Sequence, residues 1–545
     1  MNHSRTRLRS PGYREAMVTI TRMGIVLLLV VATGCSRDHY KKDADQEVYK
    51  IIESKWQDDF GTLANYKIQD TAPNDVDLDA LIPASRSLKL VDAVQIATKI
   101  SRDYQSQKES LYLSALSLTS TRHQYAWQWM GTLDTTYSMN NGSDDILATS
   151  EVGVDRSQLL GNGIQVGAGL ALDWARYLTG DPDTSLGSVL TGTITAPILG
   201  AGAGKAAREN LTQAERNMLY RIRTFNRYRQ TFVSSIIDDY YSVLQQRDRM
   251  MVTEASYQRQ IDSTNRLKMT AEVGQLAQAD ADEAEQRLLS TRNNLISTQQ
   301  SYAQTLDRFK VTLGLSTETN IILDQNELNA LAAIGVSSVD YTEEEAIAMA
   351  LERRLDLANT RDGLIDIERK LILAAAGLGP QINLTASSNV DSTAPRDFTR
   401  LRFHDGAYSL GLSADLPFDR KSERNAYREA LINVQQRQRS YDQEIENIKL
   451  SVRQAYRDLK ETAESYQIQQ MGVELAQRRV DEQKIRLDTG SGTVRQLLES
   501  EDSLLSARIS LTDALVRHTI SKLNFFRDIG VLQVKPDGMW EQAAL

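Results

Sequence analysis

The spacing of apolar positions changes along this chain. Apolar or tolerated seam residues recur every seven positions at Leu288, Leu295, Tyr302 and Phe309, and again at Leu504, Leu511, His518 and Phe525. Seven-residue spacing keeps one stripe of a helix against a partner helix and predicts coiled-coil packing. Elsewhere the period is two. Residues 131–137, 164–172 and 190–196 alternate apolar with polar positions, and so do 380–386 and 408–416. That period predicts strands with one apolar and one polar face, as in a barrel wall between lipid and water.

Proline and glycine set the lengths. No proline lies between Pro197 and Pro380, or between Pro417 and Pro536. Proline breaks helix interiors, and both gaps are rich in Ala, Glu, Gln, Arg and Leu, which favour helix. A helix of about 65 residues would be roughly 100 Å long.

The two halves of the chain are copies. A shift of 216 carries Gly274 to Gly490, Glu285 to Glu501, Leu288 to Leu504, Arg292 to Arg508, Phe309 to Phe525 and Gly314 to Gly530. A shift of 220 carries Pro197 to Pro417, and one of 253 carries Ala93, Ala97 and Asp103 to Ala346, Ala350 and Asp356. The changing shift records insertions in a duplicated body. Each copy predicts a short amphipathic helix, a helix rising to strands, the strands, and a long helical hairpin, with an extra alternating segment in the first. The expected divisions are a signal segment at 1–35, a polar spacer at 36–85, repeats at 86–335 and 336–535, and a tail at 536–545.

Composition narrows the function classes. The chain has 545 residues and a net charge of -9, with no basic stripe, which argues against nucleic acid as a partner. Its single cysteine, Cys35, excludes an internal disulfide and a cysteine zinc cage. The five histidines are scattered, and no metal or cofactor motif is present. The segment 200–205 lacks the first glycine and the Ser/Thr of a phosphate loop, and no catalytic constellation points to an enzyme. At the N-terminus, Arg5, Arg7, Arg9, Arg14 and Arg22 precede a nine-residue apolar run at 24–32. That run is too short to span a bilayer and fits an export signal. It leads into Cys35 and Ser36 in a pattern that resembles a bacterial lipobox. The resemblance implies acylation of Cys35 and sorting to the outer membrane, and several acyl chains make a lasting anchor.

Four or five strands cannot close a barrel, and open edges cannot face lipid, so strands of several identical chains must join. At this point the chain resembles the TolC-like outer-membrane efflux factors over roughly 86–535. The resemblance is carried by the repeat openings at 88–97 and 341–350, the strand-to-helix turns at 196–200 and 414–418, and the hairpin turns at 272–274 and 488–493. It implies a mainly α fold with membrane β-strands: duplicated long helical hairpins forming an α-barrel, with a transmembrane β-barrel shared by a homotrimer. Twelve strands and twelve helices are implied, as are a periplasmic adaptor and an inner-membrane pump of the RND or ABC type. It places adaptor docking at the hairpin tips, here Val273, Gly274, Gly490 and Gly492. It places a pore constriction at acidic residues beyond the tips, here Asp280, Glu283 and Glu499, with Gln496 where some members carry a second carboxylate. Gly492 stands where some members carry a basic locking residue. The competing reading is a periplasmic adaptor lipoprotein, which has one central hairpin rather than two equivalent ones.

Overall fold

In a computed structural model of the chain, the described residues are 36–60, 65–68, 82–83, 86–140, 145–177, 184–199, 203–336, 341–393, 397–416, 418–535 and 540–542. The expected signal segment and Cys35 lie outside the described residues.

The polar spacer expected at 36–85 begins instead with helix α1 (Arg37–Phe60). Val48, Ile51, Ile52 and Trp56 are at most 5% exposed. Their spacing puts them on one helical face, and that face packs on the body. Trp56 meets Phe225 edge-on at 6.2 Å, and Lys55 pairs with Glu215 at 2.6 Å.

The duplication appears directly in three dimensions. In the first repeat, α2 (Leu90–Ile100) and α3 (Arg102–Gln124) lead to strands. Then α4 (Ala203–Glu272) and α5 (Gln278–Leu313) form a hairpin, followed by the short helix α6 (Asn326–Ile334). In the second repeat, α7 (Glu343–Arg353) and α8 (Leu355–Ala376) lead to strands, and α9 (Lys421–Asp488) and α10 (Val494–Asp528) form the hairpin. The 70 residues of α4 run roughly 100 Å at 1.5 Å per residue.

Most of the predicted seam positions are buried, with Leu288, Tyr302 and Leu511 half-buried. Leu295, Phe309, Leu504 and Phe525 are at most 8% exposed. His518 is a seam residue: it is buried, with Nδ1 3.3 Å from Thr462 Oγ1, and burial, then the charge of Lys522, lowers its pKa. At the upper end of each hairpin a glycine lets two helix ends meet. Gly314 has φ +87°, and a Cβ there would stand 2.6 Å from the carbonyl oxygen of Ile100. Gly530 has φ +78° and abuts Arg353. These two junctions are related by the same shifts, 216 and 253, that relate the sequences.

The strands form one antiparallel sheet. Its long members are β2 (Gln128–Asn140), β3 (Asp145–Leu159), β4 (Gln165–Tyr177), β5 (Thr184–Leu199), β7 (Gln381–Thr393) and β9 (Ala407–Asp415), side by side in that order. The short β8 (Asp397–Leu401) pairs at the far end of β7. Pairing of β5 with β7 joins the repeats, while β2 and β9 are the two edges. Two small ladders lie outside this sheet: β1 (Ser87–Leu88) with β6 (Ile322–Leu323), and β10 (Leu532–Val534) with β11 (Trp540–Gln542). The second of these ties part of the expected tail back to the end of the second repeat. The sheet contains a strand beyond those read from the sequence. The alternation read at 131–137, 164–172 and 190–196 marks β2, β4 and β5, and β3 lies unread between the first two. Among the described residues the sheet therefore has six long strands, where a twelve-stranded trimeric barrel would need four per chain.

A polar cluster fastens α4 of the first repeat to α8 of the second. Asp366, 4% exposed, accepts hydrogen bonds from Tyr220 (2.7 Å), Gln213 (3.1 Å) and Arg369 (2.8 Å), and it also pairs with Arg216. Beside it, Arg369 pairs with Glu209 at 3.1 Å and Arg223 with Asp362 at 2.5 Å. Burial alone would raise the pKa of Asp366. The hydrogen bonds from Tyr220, Gln213 and Arg369 and the charge of Arg216 outweigh it and hold the carboxyl below its ordinary value. Tyr220 is pushed up to about 12, by burial first and then by its hydrogen bond to Asp366.

Two predictions follow from this geometry. Replacing Asp366 by Asn removes the charge that Arg216 and Arg369 share, leaving them Asp362 and Glu209, and should cost about 2–4 kcal/mol, read as a lower unfolding midpoint at pH 7. Because the folded pKa is depressed, the charge's contribution is present above the unfolded value of about 4 and is lost as pH falls through the folded one. The gap between D366N and the parent should therefore close in acid. The second prediction compares glycines with similar φ. Gly314→Ala meets a backbone carbonyl and should cost about 2–4 kcal/mol, whereas Gly490→Ala, with nothing within 4 Å of the new carbon, should cost only about 1 kcal/mol. Equal losses in denaturant titrations would contradict this account.

Candidate channel wall and hairpin tips

The register of the sheet assigns every side chain to a face. One face carries Leu133, Val152 and Leu172 opposite one another, and next to them Val154, Leu170, Leu190 and Val390 in line. Ile194, Ala386 and Leu410 continue it to the β9 edge. Much of it is uncovered: Leu133 is 61% exposed, Leu410 76% and Leu412 66%. At the helix-proximal margin, Arg156 lies over the rings of Trp127 and Trp129, 4.2 and 4.8 Å from their centroids. Aromatic residues at such a margin, beside a broad apolar band, match the girdle of a membrane barrel.

The opposite face is polar and acidic. Asp134 pairs across to Glu151, and Glu151 to Asp173, which sets three carboxylates in a row over β2, β3 and β4. Asp155, Asp391 and Asp415 share this face, and no Lys or Arg occupies it on the six long strands. Sequence reading missed this row because Glu151 belongs to the unrecognised strand.

The far ends of the hairpins are built alike. At the first tip, Gln275 N–H donates to Thr270 O (3.1 Å) and Gly274 N–H to Ala271 O (2.9 Å). At the second, Ser491 N–H donates to Arg486 O (2.9 Å) and Gly490 N–H to Leu487 O (3.0 Å). Both are helix C-caps that need a left-handed residue, supplied by Gly274 (φ +77°) and Gly490 (φ +75°). Gly492 serves differently, since a Cβ there would press on Arg486 and Leu487 at 3.0 Å. Thr493 then caps α10 in a reciprocal box with Gln496. Val273 is 70% exposed at the turn.

The expected constriction residues are not equivalent. Glu499 is exposed and Asp280 half-buried in the first turn of α5. Glu283 is engaged within the chain, its carboxylate 3.2 Å from Arg495 of the other hairpin. Arg287 pairs with Asp502 at 3.2 Å across the same junction. Burial raises the pKa of Glu501, and of Asp502 despite Arg287. Beneath these pairs, Leu267, Ala284, Val494 and Leu498 form a small apolar cluster that joins the tips. The tips are thus one coupled unit, where sequence reading treated them separately.

With this geometry in view, comparison with known proteins shows what the chain resembles. Residues 346–526 match the family model described as outer membrane efflux protein. Over its second repeat the chain is thus similar in sequence to outer membrane efflux proteins, and its fold is that of the solved outer-membrane channels named below. Among curated relatives, it is 22% identical over 334 residues to outer membrane protein TolC of Escherichia coli (strain K12), covering 57% of this chain and 63% of that protein. Over 331 residues it is also 22% identical to outer membrane protein TolC of Salmonella enteritidis, with the same coverage. The chain thus spans a little under two thirds of the length of the curated relatives it matches. Among solved structures, the outer-membrane channel OprN superposes with a TM-score of 0.59 at 17% identity, covering 86% of this chain and 98% of that one. CusC gives 0.61 at 14% identity, covering 86% and 96%. The outer membrane protein VceC from Vibrio cholerae gives 0.60 at 13% identity, covering 81% and 96%.

Leu498 is 1% exposed at the joint between the tips. Leu498→Ala should loosen that joint by about 2–4 kcal/mol. In hydrogen exchange, amides around 281–287 and 494–500 should then exchange faster together, with the upper helices unchanged. Loosening confined to α10 would show that the tips are not coupled.

Proposed function

We propose that this chain is the outer-membrane channel subunit of a tripartite export system. Three copies close a barrel in the membrane and a helical tunnel below it, and the subunit conducts exported molecules passively, without enzymatic chemistry. The observation that carries this reading is the open sheet, apolar on one face, acidic on the other and unpaired at both edges. Its apolar face suits lipid, and its edges need other strands. The hairpins support the same reading. Leu289 and Ile296 on α5, seven residues apart, are 59% and 56% exposed, and Ile468 and Leu475 on α9 are 60% and 59% exposed. These stripes have the spacing of seams that pack against neighbouring helices.

On this reading the paired tips, with Val273, Gly274, Gly490 and Gly492, dock a periplasmic adaptor. An inner-membrane pump of the RND or ABC type supplies the energy. Asp280, Glu283 and Glu499 surround the tunnel entrance, with Glu499 the freest carboxylate. Acylation at Cys35 anchors the chain to the outer membrane. The adaptor reading is disfavoured by the two equivalent hairpins and the six-stranded wall.

The deciding experiment is light scattering with negative-stain imaging of the detergent-extracted protein. A trimeric hollow tube is expected, with an intact mass that includes the acyl chains. A monomer or a compact particle would overturn the channel reading, and an unmodified Cys35 would overturn the anchor alone. Val273→Glu should leave the trimer intact and reduce adaptor capture at least tenfold; unchanged capture would remove the tips from the docking site.

A further inference from the structure

The duplication provides an internal ruler for the membrane wall. From Ala97 to Pro197 the first repeat spends 100 residues, whereas from Ala350 to Pro417 the second spends 67. The 33 additional residues match one hairpin of two strands. The first repeat does carry one hairpin more, with four long strands where the second has two.

The extra strands are not an appendage. Strand β3 pairs with β2 through thirteen consecutive residue pairs on one side and with β4 through thirteen on the other. The face assignment runs unbroken through them, because Leu133, Val152 and Leu172 keep the apolar side and Asp134, Glu151 and Asp173 the polar side. A hairpin lying outside the wall would have no reason to hold both faces in phase with β5, β7 and β9.

The free edges also fit each other. Strand β2 leaves the end of α3 and β9 returns to α9, so they run in opposite directions in the wall. Both place apolar residues on the same face, Leu133 on one and Leu410 and Leu412 on the other. Antiparallel pairing of β2 with β9 of the next copy therefore continues the alternation and leaves no edge to lipid.

We infer that the partner of the β2 edge is the β9 edge of a second copy of this chain, and that the closed wall contains six strands from every copy. This rests on the trimeric channel reading, in which the wall has eighteen strands rather than twelve. Barrel diameter grows roughly linearly with strand number, so the bore is about one and a half times as wide as a twelve-stranded one. The widened section is a vestibule on the outer side of the helical tunnel, lined by the carboxylates of β2, β3 and β4.

The test is a single-particle reconstruction of the full protein in lipid nanodiscs, together with a variant lacking residues 141–183. That deletion joins β2 directly to β5 at the end where Asn140 and Thr184 both lie, and it preserves strand direction. Eighteen wall strands in the parent are expected. In planar bilayers, polyethylene glycol added from the outer side should enter the parent at larger polymer sizes than the variant. A trimer whose wall has twelve strands, with the extra hairpin folded outside, overturns this inference and leaves the channel reading standing. An assembly that is not a trimeric tube overturns the channel reading itself. If the deletion variant does not assemble, the strand count of the parent still decides.

Discussion

An open sheet with one apolar face has no stable home as a single chain. In water, the face that carries Leu133, Val154, Leu170 and Leu410 is exposed. In lipid, the unpaired N–H and C=O groups of β2 and β9 are unsatisfied, at a cost of several kcal/mol for each group. Closing the wall on further copies removes both penalties together. The rest of the protein is arranged to deliver these strands at one level. α3 and α8 lead chain into the sheet, and α4 and α9 lead it away. The cluster around Asp366 fixes α4 against α8, so the strands of the two repeats enter the wall in a set relation and β5 can pair with β7.

Much of this was legible in the sequence because it depends on repetition and period. The shift of 216 marks both hairpins, both tips and both glycines at the helix junctions in the sequence itself. What escaped had local patterns that were diluted by polar residues. In β3, the apolar face includes Ser150, Arg156 and Gln158 as well as Val152 and Val154, so the alternation is weak without its neighbours. In α1, four buried positions at 48, 51, 52 and 56 have helical spacing, but the surrounding Lys, Asp and Glu dominate the composition. The row from Asp134 through Glu151 to Asp173 is a product of register alone. No sequence pattern sets residues 134, 151 and 173 side by side until two strand pairings are known.

The tips show a different division of labour. Their backbone turns were readable from Gly274 and Gly490, since a left-handed helix cap needs glycine. Their coupling was not, because it rests on pairs more than two hundred residues apart, such as Glu283 with Arg495 and Arg287 with Asp502. Each of these surface pairs is worth little alone, on the order of 0.2–1 kcal/mol. The apolar contact of Ala284 with Val494 and Leu498 is the firmer part of the joint. A tip held this way can shift as one body while the long seams above it stay packed.

The wall can grow without disturbing the helices beneath it. Adding one hairpin inserts two strands, which returns the chain to the end of the sheet from which it left. An odd number would leave α4 starting on the wrong side of the membrane. Two further conditions must hold: the inserted strands must keep the alternation in phase, and their turns must lie at the far end. Here β3 and β4 meet both, with thirteen unbroken pairs between them and with Asn140, Asp145, Tyr177 and Thr184, the strand ends on either side, at one end of the sheet. Below the wall, the junctions at Gly314 and Gly530 remain equivalent in the two repeats. The helical hairpins therefore keep their duplicated geometry while the strand section above them diverges, and the circumference of the wall is set independently of the tunnel it crowns.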